Sequence, residues 1–380
     1  MGYSDRPTRA VLTVALVLAS VLGLASTAAA QRYQQTNLVS DTPGLADKTD
    51  PHLQNAWGVA FNPTAFVWVA DNHKGVATLY DGAGNPQSLV VTILPASGQL
   101  TGSPTGIVFN GSSDFVVTEK GKSGASRFIF ATEDGTIAGW SPDVVRDHAI
   151  TAVPSKTGAV YKGLALASNG TDTFLYATDF HNARIDVFNK EFKPARLSGT
   201  FADPNLPAGY APFGIQNLNG NLYVTYAKQD AARMDDVPGA GRGFVDVFDA
   251  NGHLIRRVAS RGWLNAPWGL AVAPADFGKF SNRLLVGNFG DGTINAYDVA
   301  TGKFLGQFRG PDSKRLTIDG LWGISFGNGL LDQPTNVLFF AAGPNDENDG
   351  LYGKLEPASG KDDDHEGNED DHEGKEDDHE

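Results

Sequence analysis

Short apolar runs punctuated by Gly, Pro, Asn and Asp fill the chain from about Tyr33 to Leu355, and no long stretch carries a helical period. In RIDVF from Arg184 and TINAY from Thr293, apolar and polar residues alternate. That is the period of a strand with one buried and one wet face. Asp-Gly and Asn-Gly pairs between the runs mark tight turns. The pattern predicts short strands throughout, and hence an all-β fold.

The strands come in copies. A glycine in an aromatic or proline setting, followed by a short apolar strand, recurs six times: NAWGVAF at 55, SPTGIVF at 103, VYKGLAL at 160, APFGIQN at 211, APWGLAV at 266 and GLWGISF at 320. The glycines are Gly58, Gly106, Gly163, Gly214, Gly269 and Gly323, at intervals of 48, 57, 51, 55 and 54 residues. Each copy leads into a second strand ending in a polar residue, then a turn and a third strand. VWVADNHKGVATLYD from Val67 and LLVGNFGDGTINAYD from Leu284 are the clearest cases. Units of this size repeated six times predict a six-bladed β-propeller. The segment QTNLVSD from Gln35 precedes the first copy and is expected to be the outer strand of the last blade, pairing the two chain ends.

The stretches SPTGIVFNG, RFIFATEDGTIAGW, PAGYAPFGIQ, LYVTYAKQD, NAPWGLA and LLVGNFGDGTI resemble a family of exported bacterial proteins, and more distantly the NHL-type six-bladed propellers. The resemblance covers roughly Tyr33 to Leu355. It implies the propeller fold and export, and transfers no catalytic residue. Members that carry a C-terminal sorting signal end in a hydrophobic segment, whereas this chain ends in an acidic one.

The ends suit that address. Arg6 and Arg9, the apolar run Ala10 to Ala25 and Ala28-Ala29-Ala30 follow the secretory pattern, so residues 1–30 are expected to be a cleaved signal peptide and the mature protein secreted or periplasmic. After cleavage no apolar run reaches the length of a membrane span, so no integral membrane segment is expected. Residues 31–357 form the propeller and 358–380 a disordered, His-containing acidic tail, dispensable for folding, in this reading. The tail explains the net charge of -14: Lys361 to Glu380 holds twelve carboxylates and two lysines, leaving -4 for the rest. The body therefore lacks the basic footprint of a nucleic-acid binder. There is no cysteine, which removes disulfides and thiol chemistry.

In a propeller, the loops into each inner strand and out of each second strand surround one mouth of the central channel, where ligand sites concentrate. Trp57, Lys162, Phe213, Trp268 and Trp322, with Tyr226, His73 and His181, are therefore the candidate ligand-binding residues, for a small molecule or a protein segment. Asp71, Asp179, Asn288 and a second-repeat glutamate, Glu133 or Glu119, offer hard oxygen ligands, for which Ca²⁺ is the fitting cofactor. Such a set resembles the central metal of lactonase-type propellers. Strand-ending Asp and Asn equally serve turns, and that plainer role suits most of them one by one. Asn345 to Gly350 reads as a hairpin turn that nearly copies a calcium loop, and the tail histidines His365, His372 and His379 could hold divalent metal loosely. No G-x-S-x-G, H-E-x-x-H or phosphate-loop string is present. Two functions follow: an extracytoplasmic binding or scaffold protein, or a calcium-dependent lactonase or esterase.

Overall fold

A computed structural model of the chain describes residues 1–2, 32–96, 101–155 and 158–358. Nearly all of the expected signal peptide and of the acidic tail lies outside the described residues. No helix among the described residues is long and apolar enough to cross a membrane.

The chain folds as antiparallel meanders in a propeller-like, all-β arrangement. The first repeat runs through strands Ala56–Phe61, Val67–Asp71, Val76–Tyr80 and Val91–Ile93, each paired to the one before. The second uses Pro104–Phe109, Phe128–Thr132, Ile137–Trp140 and His148–Val153. Their outer strands meet in parallel, His148 opposite Thr92 and Ala149 opposite Ile93, which merges the two meanders into one eight-stranded sheet. A three-stranded sheet follows in the third repeat, beginning at Tyr161–Ser168, and four-stranded sheets in the fourth and fifth, beginning at Tyr210–Leu218 and Pro267–Val272. In the last repeat Leu321–Phe326, Leu338–Ala342 and Leu351–Pro357 are joined by the N-terminal strand Tyr33–Ser40, with Tyr33 opposite Pro357 and Ser40 opposite Leu351. The two chain ends thus pair as the sequence pattern predicts.

The repeated glycines all lie on the first strand of their repeat, and these first strands pack in a closed ring. A Cβ on Gly58 would stand 2.5 Å from the carbonyl oxygen of Thr105, and one on Gly214 2.1 Å from that of Trp268. On Gly323 it would stand 2.5 Å from the oxygen of Trp57, which closes the circle. At these positions the inner strands approach too closely to leave room for a side chain. The space they enclose is a cavity of about 30 Å³ between Gly58, Gly106, Ile107, Leu164 and Ile324.

Hydrophobic clusters fill each seam between neighbouring repeats. Trp68, Ala70, Phe128 and Phe130 pack between the first and second, and Val67, Val69, Tyr80 and Tyr352 between the sixth and first. Side-chain alternation along Val67–Asp71 explains the split, because successive residues face opposite sides of the sheet. Each large apolar side chain buried this way contributes about 1.5–3 kcal/mol.

Candidate functional site

At one end of the ring the first strands bring Trp57, Phe213, Trp268 and Trp322 together with Phe180 and Phe289. Trp57 stacks on Trp322 with centroids 3.6 Å apart, Phe289 stacks on Trp322 at 3.9 Å, and Trp268 meets Trp322 edge-on at 5.8 Å. The sequence reading makes these aromatics the walls of an open mouth. They instead bury one another: Trp57 and Trp322 are each 2% exposed and Phe213 is fully buried. Apolar rings gathered at one point exclude water and collapse into a floor.

Lys162 stands on this floor. Its side chain is 3% exposed, and Nζ donates to Glu133 Oε1 at 2.5 Å and Asp235 Oδ1 at 2.9 Å while lying 5.2 Å above the Trp57 ring. Trp268 Nε1 donates to the Lys162 carbonyl at 2.9 Å. Burial alone would lower the lysine's pKa, but the carboxylates of Glu133 and Asp235 outweigh it and hold the ammonium above its ordinary value. Asn72 Nδ2 donates to Glu133 Oε2 at 2.9 Å, and Asn55 Nδ2 to Glu347 Oε1 at 3.3 Å. Asn55 Oδ1 in turn accepts from Trp322 Nε1 at 3.2 Å. Burial, then the charge of Glu133, pushes the Glu347 carboxyl up to about 7. Burial likewise pushes Asp236 up to about 6, against the pull of Lys162.

The strand-ending residues go elsewhere. Asp71 shares the sheet face of Val67 and Val69 and points into the seam between the sixth and first repeats, fully buried. Burial pushes its carboxyl well up, against a smaller opposing pull from Thr78. Asp179 closes its own turn: Oδ1 accepts from the backbone N–H of Val160 and of Asn182, and Oδ2 from Asn182 Nδ2 at 2.7 Å, beside Arg184. Asn288 donates to the Trp263 carbonyl at 2.8 Å and to Thr293 Oγ1 at 3.1 Å. Tyr226 shares the face of Leu222 and Val224, in the seam between the third and fourth repeats. Of the four expected metal ligands only Glu133 reaches the mouth. Among the described residues no three His, Asp or Glu side chains are grouped to hold a metal.

The physical reason is a register of one residue. The backbone N–H of Asn72, Glu133, Phe180, Phe289 and Gly343 donates to the carbonyl two residues ahead of the mouth position on the first strand, in Asn55, Ser103, Val160, Ala266 and Gly320. These five are therefore equivalent, and each follows the last residue of a second strand. The pleat sends that last residue sideways into a seam, while the next one turns toward the axis. Counting one position further would have found Asn72, Phe180 and Phe289 beside Glu133.

Glu119 sits on the hairpin Val116–Glu119 and Lys122–Ala125, which is inserted ahead of the second strand, and bonds His148 Nε2 at 3.1 Å. The choice between it and Glu133 falls to Glu133. His73 is exposed on the short turn Asn72–Lys74. His181 is half-buried, its Nδ1 buried without a partner. Asp235 and Asp236 come from the excursion after Asn221–Lys228, and Glu347 from the hairpin after Leu338–Ala342. Neither loop has a strand period that could announce its position. Larger hollows, of about 450 and 520 Å³, lie at the periphery beside Trp68 and Trp140 and beside Ile185 and Phe188, away from these charges.

No family model matches the chain. Uncharacterized protein R648 of Acanthamoeba polyphaga mimivirus is 33% identical over 328 residues, which cover 84% of this chain and 78% of that protein. Uncharacterized protein L690 of the same virus is 34% identical over 331 residues, 84% of each chain. These relatives are viral, where the resemblance read from the sequence implied bacterial ones. Among solved structures, virginiamycin B lyase from Staphylococcus aureus aligns with a TM-score of 0.51 at 14% identity, over 86% of this chain and 100% of its own. The soluble aldose sugar dehydrogenase from Escherichia coli gives 0.53 at 13%, with the same coverage, and a Xanthomonas campestris gluconolactonase 0.50 at 15%, over 81% and 87%. At such identities the likeness speaks for the fold alone.

Proposed function

This chain belongs to one family with the mimivirus proteins R648 and L690, and we propose that it is a six-bladed propeller that binds a small ligand or a partner segment at its Lys162 mouth. The blade count treats the eight-stranded sheet as two blades, because only two residue pairs join its halves. Export by the N-terminal segment and an extracytoplasmic place of action are part of the proposal.

One observation carries the reading. Lys162, from the third repeat, is buried on an aromatic floor and held by Glu133 from the second and Asp235 from the fourth, with Glu347 of the sixth close enough to feel both Glu133 and Lys162. Taking charges out of water is costly, and a fold needing only stability would do as well with apolar side chains there. Several repeats that converge on one buried lysine fit a recognition site.

The lactonase alternative draws support from the gluconolactonase likeness, which extends to the fold only. Against it, Asp71, Asp179 and Asn288 are dispersed in separate seams and turns. The test is a thermal-shift screen of small molecules and peptides on the full chain, repeated on Glu133→Gln and Lys162→Met. Stabilising compounds should lose their effect in both variants. Compounds that still bind both equally would overturn the mouth as the site. Hydrolysis of glucono-1,5-lactone that calcium supports and chelator abolishes would favour the enzyme instead.

A further inference from the structure

The mouth is rich in acceptors and short of cations. Glu133 and Asp235 share Lys162, but among the described residues Asp236 and Glu347 have no cationic partner. Glu347 has the amide of Asn55, at 3.3 Å, and Oδ2 of Asp236 is buried without a hydrogen bond. A second, independent feature lies in the floor. The indole Nε1 of Trp57, a residue 2% exposed, has no acceptor among the described residues, and its ring lies under the Lys162 ammonium. Buried donors and acceptors are almost always paired in folded proteins, and leaving one unpaired costs about 1–3 kcal/mol. Here one end of the site wants a positive donor and the floor wants an oxygen.

We infer that the mouth takes a ligand bearing a protonated primary amine with an acceptor oxygen close beside it, the amine placed against Asp236 and Glu347 and the oxygen against Trp57 Nε1. A peptide N-terminus and an amino alcohol share this chemistry. The inference rests on the mouth being the binding site.

The groups facing the amine are Glu133, Asp235, Asp236, Glu347 and Lys162, with Asp230 acting on Asp236 from the same loop. Asp236 and Glu347 hold protons up to about 6 and about 7. An amine must displace those protons while keeping its own, so binding should tighten as pH rises from about 5.5 to about 7 and should release protons.

The test is calorimetric titration of the full chain with glycinamide, ethanolamine, ethylamine and N-acetylglycinamide, followed also by tryptophan emission. Glycinamide and ethanolamine should bind and perturb the emission. Ethylamine, without the oxygen, should bind about tenfold more weakly, and N-acetylglycinamide, without the charge, not measurably. Glu347→Gln and Asp236→Asn should each weaken glycinamide about tenfold or more, at a melting temperature no lower than that of the parent. Glycinamide ahead of ethanolamine points to a chain N-terminus, and the reverse order to an amino alcohol. Equal binding of glycinamide and its N-acetyl form would overturn the inference. So would the absence of amine binding at millimolar concentration, which leaves the mouth standing if the screened compounds still depend on Glu133. Amine binding that ignores both variants and leaves the emission unmoved would overturn the amine site and count against the mouth as well.

Discussion

Replacing Lys162 with methionine isolates the charge at the centre of the mouth, because methionine keeps an unbranched apolar stem over Trp57. The charge-assisted bond to Glu133, whose side chain is 26% exposed, is worth about 1.5–3 kcal/mol. Asp235 is 72% exposed, so its bond adds less than about 1 kcal/mol and its carboxylate can turn to water. The contact with the Trp57 face contributes about 1 kcal/mol. The desolvation penalty of the lysine disappears in the variant and offsets part of this. The net loss is about 2–4 kcal/mol. Unfolding entropy of about 2.1 cal/mol/K per residue gives about 0.7 kcal/mol per degree for a body this size, so Tm should fall by about 3–6 °C. The loss should depend on pH. Lys162 holds down the pKa of both Glu347 and Asp236, so without it more carboxylate charge is forced on a buried site as pH rises. Differential scanning calorimetry at about pH 5 and pH 8 should find the larger deficit at pH 8, and adding Glu133→Gln should recover part of it. An equal deficit at both pH values, or none, would refute the reasoning.

Three further outcomes follow from the same geometry. Gly214→Ala places a Cβ 2.1 Å from the Trp268 carbonyl, so it should cost about 3 kcal/mol or more or prevent folding. Gly111→Ala, whose nearest neighbour is a Phe109 ring atom at 3.3 Å, should be tolerated, as circular dichroism melts will reveal. Glu347→Gln should leave Tm unchanged near pH 4.5 and raise it at pH 8. The folded carboxyl titrates at about 7, above its ordinary value, so the native state of the parent holds the extra proton and loses stability as pH climbs through that window. Equal melting curves for parent and variant at pH 8 would contradict this. Asp71→Asn should melt at or above the parent temperature at pH 8, with or without calcium, because burial disfavours the charged carboxylate and a neutral amide of the same size escapes that penalty. A calcium-dependent rise in Tm that this substitution abolishes would restore Asp71 as a metal ligand.

The sequence by itself determined the strands and their grouping. Alternation at Arg184–Phe188 and Ile294–Asp298 predicts half-buried strands, and the glycines from Gly58 to Gly323 recur because at that one position the neighbouring inner strand comes too close for a Cβ. Both are local demands on the residue that meets them, so they leave a mark in the chain. The pairing of Tyr33–Ser40 with Leu351–Pro357 was legible for a related reason: a leading strand with no local partner must close on the far end. What the sequence left open was the direction of side chains where strands end. Asp71, Asp179 and Asn288 look like convergent ligands in the string, yet the pleat turns them into seams and turns, and the neighbours Asn72, Phe180 and Phe289 face the axis. A shift of one residue reverses every such assignment, and only paired backbone fixes it. Asp235 bonds Lys162 from a loop of another repeat, and Asp236 and Glu347, also on such loops, lie near enough to feel its charge. Their charges meet because the ring closes, and no spacing within a single repeat encodes a contact between the third repeat, the fourth and the sixth.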